Sequence, residues 1–575
     1  MKFNRFTHTA LGLLTVGSVA WGCSSKSDDC KANLNCGAYG GGAGGSGGAA
    51  TGGTSAAHGG AGMGGASGAS GSSGTSGTSG TSAGEAGSAG APDAGCDTTL
   101  GPEESCTISN QYGLFVSKDG DDTAGDGTME KPFATLTKAL DAASAGNVSR
   151  LYLCGASELA EPGTVTIPDH VSIYGGFKTC TASDWTYDTT GKTKAVLKPA
   201  SPIGAKIAQA TSVVLQDLRI DAADAPEDGS GASSFGMIVS ESSGVVLTHV
   251  EIHAGTGGAG KAGMDGAKGA DGTASGATQN GGTASCAVGA PSPLSGAQPV
   301  APTCGSKGGT GGSGITGVTY QGPEDGFAGT PSTNLDPSPN ANGGKGATMV
   351  GASRAGGSGT IGAGGLPGTK GAAAGPLGVF SATGYVPADG GSGTAGFPGQ
   401  GGGGGGASLG GAACVGASGG AGGMGGCGGD PGAGGTGGGA SIALLSWNSM
   451  VTLEGCTLVA AAGGAAGRGG NAHGGGAGKT GGTGGAGDSV DGIGKGGNGG
   501  DGGPGGNGGN GAGGSGGPSI ALVWSVMRPS DLGANTLTKG AGGALGVGGK
   551  VGGSSALLPG FDGQPGKSLT EYQLP

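Results

Sequence analysis

The chain has 575 residues, of which 153 are glycine, with 4% aromatic and 11% charged residues and a formal net charge of −12. Its 27 prolines are too few for a collagen triple helix, which needs about 15–20% proline. The acidic balance excludes the basic footprint of a nucleic-acid binder. The glycines are clustered, so the length overstates the amount of packed core.

Lys2 and Arg5 precede the apolar run 11–20 (LGLLTVGSVA), which is shorter than the roughly 20 residues of a bilayer span and reads as an export signal over 1–22. The next residues, Val19-Ala20-Trp21-Gly22-Cys23, resemble a bacterial lipoprotein lipobox, with Ala20 where that family usually carries Leu. The resemblance implies that Cys23 becomes the acylated N-terminus and holds the protein to a membrane. The alternative is cleavage after Ser18-Val19-Ala20, which gives a freely secreted protein. Residues 23–95 form the anchor and tether. From Gly37 to Gly95 the chain is almost entirely Gly, Ser, Thr and Ala, with no apolar face to offset the entropy of ordering. As a flexible coil it reaches roughly 40 Å.

The 12 cysteines match no zinc-site spacing and suit an oxidising, exported setting. Most fall into sequence-near couples: Cys30 with Cys36, Cys96 with Cys106, Cys154 with Cys180, Cys286 with Cys304, and Cys414 with Cys427. Cys456 remains, with a buried free thiol expected.

Residues 96–255 read as an N-terminal cap and the first coils of a repeat. A strand is expected over 112–116 and a turn over 118–128. A helix follows over 131–140, with Pro132 at its start and Phe133, Leu136, Ala139 and Leu140 on one face. Short strands come next at 151–154, 164–167, 171–174, 195–197, 213–215 and 218–220. The run Phe115-Val116-Ser117-Lys118-Asp119-Gly120, then Gly127, Lys131-Pro132-Phe133 and Leu136–Leu140, resembles the N-terminal segment of right-handed parallel β-helix (pectin-lyase-like) proteins. Residues 171–177 (VSIYGGF) resemble the next strand and turn of bacterial surface members. The resemblance implies an all-β fold, a short right-handed parallel β-helix with an N-terminal capping helix. It says little about activity.

An internal repeat points the same way. Segments 214–220, 246–252, 452–458 and 531–537 align in register and give three inward columns. These are Leu215, Leu247, Leu453 and Leu532; Leu218, Val250, Cys456 and Asn535; and Ile220, Ile252, Leu458 and Leu537. The last three are each preceded by a small-apolar strand, at 235–239, 441–445 and 519–523. Recurring inward columns are what stacked coils require.

Between these coils lie Gly-rich insertions over 256–439 and 460–517, flanking a coil at 440–459, with a last coil and Gly-rich tail at 518–575. All leave from the same point of the coil. Their period is three, the turn of a polyproline-II-like helix. Two readings stay open: an ordered polyglycine-II-like bundle bonded through the backbone, or disorder. The tracts resemble the glycine repeats of mycobacterial PE-PGRS surface proteins in composition.

Two constellations carry candidate chemistry. Asp119, Asp121, Asp126 and Glu130 follow EF-hand spacing in part, which makes calcium the one cofactor considered. A turn with carboxylates near the helix N-terminus is the competing reading. Stacked coils also set Asp217 beside His249, Arg219 beside Glu251 and Asp221 beside His253, a polar outward patch of the kind glycan-cleaving enzymes use. Cross-strand pairing on a solvated face is the structural alternative. The later coils place only Gly455, Thr457, Val459, Ala534, Thr536 and Thr538 there. The preferred expectation is a non-catalytic bacterial surface protein, at the outer membrane or cell surface, with a structural or adhesive role. Its partners are then a membrane, through the N-terminal lipid, and an extracellular glycan or another surface protein. A β-helix polysaccharide lyase or glycosidase, or an ice-binding polyglycine-II protein, are the alternatives.

Overall fold

Apolar residues alternate with polar ones in runs of three to seven, and such runs form strands with one face turned inward. In the computed structural model, residues 96–575 are described apart from 98, 156–157, 274–275, 288, 290–291, 298–303, 317–321, 338–340, 349–353 and 551–558. Residues 1–95, on which the expected export signal and tether and the cysteines Cys23, Cys30 and Cys36 fall, lie outside the described residues.

After β1 (Leu114–Val116) and the helix α1 (Leu136–Gly146), the chain makes repeated circuits, each visiting three sheets in turn. The first circuit is β2 (Arg150–Cys154), β3 (Glu158–Glu161) and β4 (Val165–Ile167). The second is β5 (Val171–Thr181), its antiparallel flap β6 (Asp184–Tyr187), β7 (Ala195–Pro199) and β8 (Ile203–Ala208). The third is β9 (Val213–Gln216), β10 (Leu218–Asp221) and β11 (Ser234–Ser240). The fourth begins with β12 (Val245–Thr248) and β13 (Glu251–His253). It makes a long excursion containing the small pairs β14 (Leu335–Asp336) with β15 (Gly364–Gly365) and β16 (Val379–Ser381) with β17 (Gly384–Val386). It then returns as β18 (Ser441–Trp447). The fifth is β19 (Val451–Glu454), β20 (Thr457–Val459) and β21 (Ser519–Trp524); the sixth is β22 (Ser530–Asp531), β23 (Thr536–Thr538) and β24 (Ser568–Gln573). Like strands of successive circuits pair in parallel, so the described fold is predominantly parallel β-sheet with a single α-helix among the described residues.

The inward columns form one core. Leu215, Leu247 and Leu453 stack in register, as do Ile220, Ile252 and Leu458, and all six are fully buried. Each such side chain contributes about 1.5–3 kcal/mol by leaving water. Two expectations need correction. Leu453 faces Asp531, not Leu532, and Leu532 is exposed. The helix also starts later than Lys131, because the Thr135 hydroxyl caps it by accepting from Lys138 N at 3.1 Å. Phe133 stays extended beside Val116. Two carboxylates sit at this helix start: Asp122 accepts from Ala134 N and Thr135 N, and buried Glu161 accepts from Leu136 N at 2.7 Å and Thr137 N at 3.0 Å. That placement satisfies amides left free by helix geometry. Leu136, Ala139, Leu140 and Ala143 then close the first end of the core.

The long excursions leave between the second and third sheets, at 254–440, 460–518 and 539–567. They form an array of extended segments. Gly420, Ala421 and Gly422 donate in turn to Gly497 O at 3.0 Å, Gln279 O at 2.8 Å and Gly309 O at 2.8 Å. Gly423 then returns to the first neighbour, at Gly500 O. Segment 420–438 runs parallel to 497–515 and antiparallel to 390–405, with every third amide engaged in each case. The contacts explain the glycines: a Cβ on Gly422 would stand 1.9 Å from Gly402 O, and one on Gly404 1.9 Å from Thr310 O.

The third positions carry a second device. Where a segment has no backbone acceptor on one side, Asn or Asp of a neighbour supplies one. Asn498, Asp501, Asn507 and Asn510 accept through Oδ1 from Gly484, Gly481, Gly475 and Ala472. Asp265, Asp271 and Asn280 do the same for Asn471, Ala477 and Thr483.

Two disulfides tie the array, and here the pairing corrects the sequence-near couples: Cys286 joins Cys414 and Cys304 joins Cys427. Distant segments are brought alongside by the array, as in the bridge between Ser285 and Val415, so neighbours in space are not neighbours in sequence. Cys96–Cys106 and Cys154–Cys180 pair locally, and Cys456 is a buried free thiol. The expected couple of Cys30 and Cys36 is not among the disulfides of the described residues, because both Cys30 and Cys36 fall outside them.

Gly404→Ala should push the array apart and cost about 1–3 kcal/mol, with amide exchange accelerating first at 402–406 and at 309–312, which carries the struck Thr310 carbonyl. Gly163→Ala, where nothing lies within 4 Å of the added Cβ, should stay within about 0.5 kcal/mol of wild type. Equal stability of the two variants in denaturant titrations would contradict the close-approach argument.

Candidate functional site

The polar patch forms where the chain turns from the first sheet to the second. The turn needs a left-handed residue in successive circuits, and Asp217, His249 and Gly455 occupy it with φ of 53°, 53° and 60°. Asp and His tolerate this region better than most non-glycine residues. Asp217 and His249 thus come together through a backbone requirement before any chemistry is considered.

Asp217 is buried, its side chain 1% exposed. The flap β6 folds over it, and the Tyr187 hydroxyl donates to Asp217 Oδ2. Gln216 Nε2 donates to the Tyr187 oxygen at 2.8 Å and to Glu103 Oε1 at 2.5 Å. On the solvent side, His249 Nδ1 stands 3.3 Å from Asp217 Oδ1, with the imidazole half-exposed. The Lys194 ammonium donates to the His249 carbonyl and lies 3.8 Å from Glu251. One strand position on, Arg219 Nε bonds Asp221 Oδ1 at 2.8 Å. His253 Nδ1 is 3.6 Å from that oxygen, and its Nε2 is 3.9 Å from Glu251 Oε2. The register sets Arg219 opposite Glu251 and Asp221 opposite His253, so all five weak candidates share one patch.

Burial pushes the Asp217 carboxyl above the usual range, against the pull of Tyr187, His249 and Lys194. Burial likewise lowers the His253 imidazole, helped by the Arg219 charge. The buried acid is covered by a phenol and the exposed base faces a paired carboxylate. Beyond circuit four the columns continue as Thr457 and Thr536, and as Val459 and Thr538. The arrangement locks the flap to circuits two to four.

The carboxylates considered for calcium serve turns. Asp121 Oδ1 accepts from Thr123 N at 2.7 Å and Ala124 N at 3.0 Å, and Asp126 Oδ1 accepts from Thr128 N and its hydroxyl. These bonds hold both acids below their usual range. Asp119 pairs with Lys118, and Glu130 accepts from Asn110. Among the described residues, the group of ligand-type side chains that converges within 4.8 Å is Cys286, Cys414 and Asp491, and its two sulfurs are bonded to each other. No helix of the described residues is long and apolar enough to cross a membrane.

The flap residues Trp185 and Tyr187 were not expected from sequence, because the alternation of DWTY spans only four residues and stands outside the repeat. The third-position acceptors were legible in principle: Asn498, Asp501, Asn507 and Asn510 stand at multiples of three from one another, each followed directly by Gly. No protein family, curated protein or solved structure matches this chain.

Asp217→Asn keeps an acceptor for Tyr187 and removes the buried charge. A raised acid contributes stability that is present below its unfolded value near 4 and is lost as pH rises through its folded value. Asp217→Asn should therefore unfold within about 1 kcal/mol of wild type at pH 7, and wild type should lose ground to it between pH 4 and 7. A variant destabilised by about 3 kcal/mol or more would show instead that the ionised carboxylate stabilises the corner.

Proposed function

We propose that this is an exported bacterial surface protein with a structural or adhesive role, anchored through an acylated Cys23 and built as a short right-handed parallel β-helix carrying a polyglycine-II bundle. The observation that carries the reading is the array itself. Segments from three successive circuits leave one corner and bond successive amides to different neighbours, with every third amide returning to the same one. This uses the glycine content as a cross-linked lattice without calling on any reactive side chain. The parallel circuits and the capping helix support the β-helix reading. The disulfides support an oxidising location.

The polar patch favours catalysis less, because Asp217 lies beneath Tyr187 and the charged columns stop after two circuits. Its role is cross-strand pairing, and the surface offered to a glycan or a neighbouring surface protein is broad and rigid.

Amide exchange across 256–440 tests the bundle. Protection of the glycine amides that donate within it, with a polyproline-II-like circular dichroism signal, is expected; fast exchange throughout would sink the reading. Fractionation tests the address. Cys23→Ser should move the protein out of detergent-extracted membranes while leaving its denaturation midpoint unchanged, since acyl chains supply the anchoring. Wild type found in the medium beginning at Trp21 would show cleavage after Ala20 and no anchor.

A further inference from the structure

The inward columns change character at the sixth circuit. In the first sheet Leu215, Leu247 and Leu453 are followed by Asp531. In the third sheet Ala205, Met237, Leu444 and Leu522 are followed by Glu571. Both changes place a carboxylate where every preceding circuit has an apolar side chain.

A single cation answers both. Arg528 reaches Glu571 through two bonds, Nε to Oε2 at 3.0 Å and Nη2 to Oε1 at 2.9 Å. Its Nη1 bonds Asp531 Oδ2 at 2.6 Å. The guanidinium carbon lies 5.9 Å from the ring centroid of Trp524, which is buried two residues beyond Leu522 on the same strand. Asn535 completes the closure: its Oδ1 accepts from Cys456 N at 2.7 Å, and its Nδ2 donates to Leu453 O at 3.2 Å and Asp531 Oδ1 at 3.0 Å. The two acids pull the Arg528 guanidinium still further toward its charged form.

We infer that Arg528, Asp531, Asn535 and Glu571 form an ion-paired end cap that closes the core at circuit six and keeps a second copy of this chain from stacking on it. The edge strands β22, β23 and β24 have a paired neighbour on one side only, and an open edge is a template for another strand. The occupant it excludes is a second copy, because that copy offers the same edge and the same columns by which each circuit already binds the next. Stacking there would bury Arg528, Asp531 and Glu571, now about one-third exposed, away from water, and buried ion pairs recover their desolvation poorly. At the opposite end α1 does the same work with apolar side chains. The cap does not depend on acylation of Cys23.

The test is a triple variant, Arg528→Leu, Asp531→Leu and Glu571→Leu, which continues the apolar columns to the edge. Light scattering on the full chain should give a monomer for wild type and a doubled mass for the variant at micromolar concentration. A variant that keeps the monomer mass, or a wild type already dimeric through 519–573 by cross-linking, overturns the inference. A second variant reads the cap if the first loses its β circular dichroism. Arg528→Gln leaves two acids without their cation, and amide exchange at 519–524 and 568–573 should rise about tenfold with 234–240 unchanged. Unchanged exchange at both places in that variant also overturns it.

Discussion

A backbone amide taken out of water must find an acceptor, and that requirement organises this molecule more than hydrophobic burial does. In the circuits the demand is met by parallel ladders, whose strands also carry the apolar columns. In the excursions there is little to bury, and the ladder becomes three-dimensional: successive amides turn by a third of a revolution and meet three different neighbours. Glycine is then a packing requirement, because carbonyl oxygens stand within about 2 Å of where a Cβ would be at most of these contacts. The asparagines and aspartates follow from the same demand. They appear where a neighbouring amide lacks a backbone carbonyl, and they provide one through the side chain.

Much of the circuit architecture was legible because it is written in a repeat. Leu215, Leu247 and Leu453 have the same offset from Ile220, Ile252 and Leu458, and that spacing survives insertions of very different length. At Leu532 the repeat and the register part company. An apolar residue adjacent to the true register position attracts the alignment, whereas the structure places Asp531 there because the edge needs polarity. The helix start escapes sequence reasoning for a similar cause. Pro132 is a good first-turn residue in isolation, but Phe133 is needed as a strand partner for Val116, and Thr135 provides the cap. Disulfide partners were not legible across the array, since Cys286 meets Cys414 only after some 128 residues have folded into alignment.

The polar patch was legible as a placement and not as a role. Register arithmetic set Asp217 beside His249 and Asp221 beside His253, and the strands pair that way. What the arithmetic did not contain is Tyr187, brought over from a flap 30 residues upstream of Asp217. That one hydroxyl converts a candidate acid into a covered, hydrogen-bonded corner. Side chains arriving from outside a repeat are the part of a site that periodicity leaves unread.

The interleaving of the excursions has a kinetic consequence. In most stacked-repeat proteins each unit touches only its neighbours, so folding nucleates in one place and spreads along the stack. Here the bonds also join consecutive circuits, but across long stretches of chain: segment 257–272, from circuit four, bonds to 462–477 of circuit five, and 511–517 of circuit five to 543–549 of circuit six. The Ser242 amide likewise donates to the Ser449 hydroxyl, 207 residues away. Such distant contacts must close large loops before they return any bonding energy, which makes assembly slow. The same linkage means that no circuit can peel away without breaking its neighbours' amide bonds, so the finished array should persist by the height of its unfolding barrier as much as by its depth.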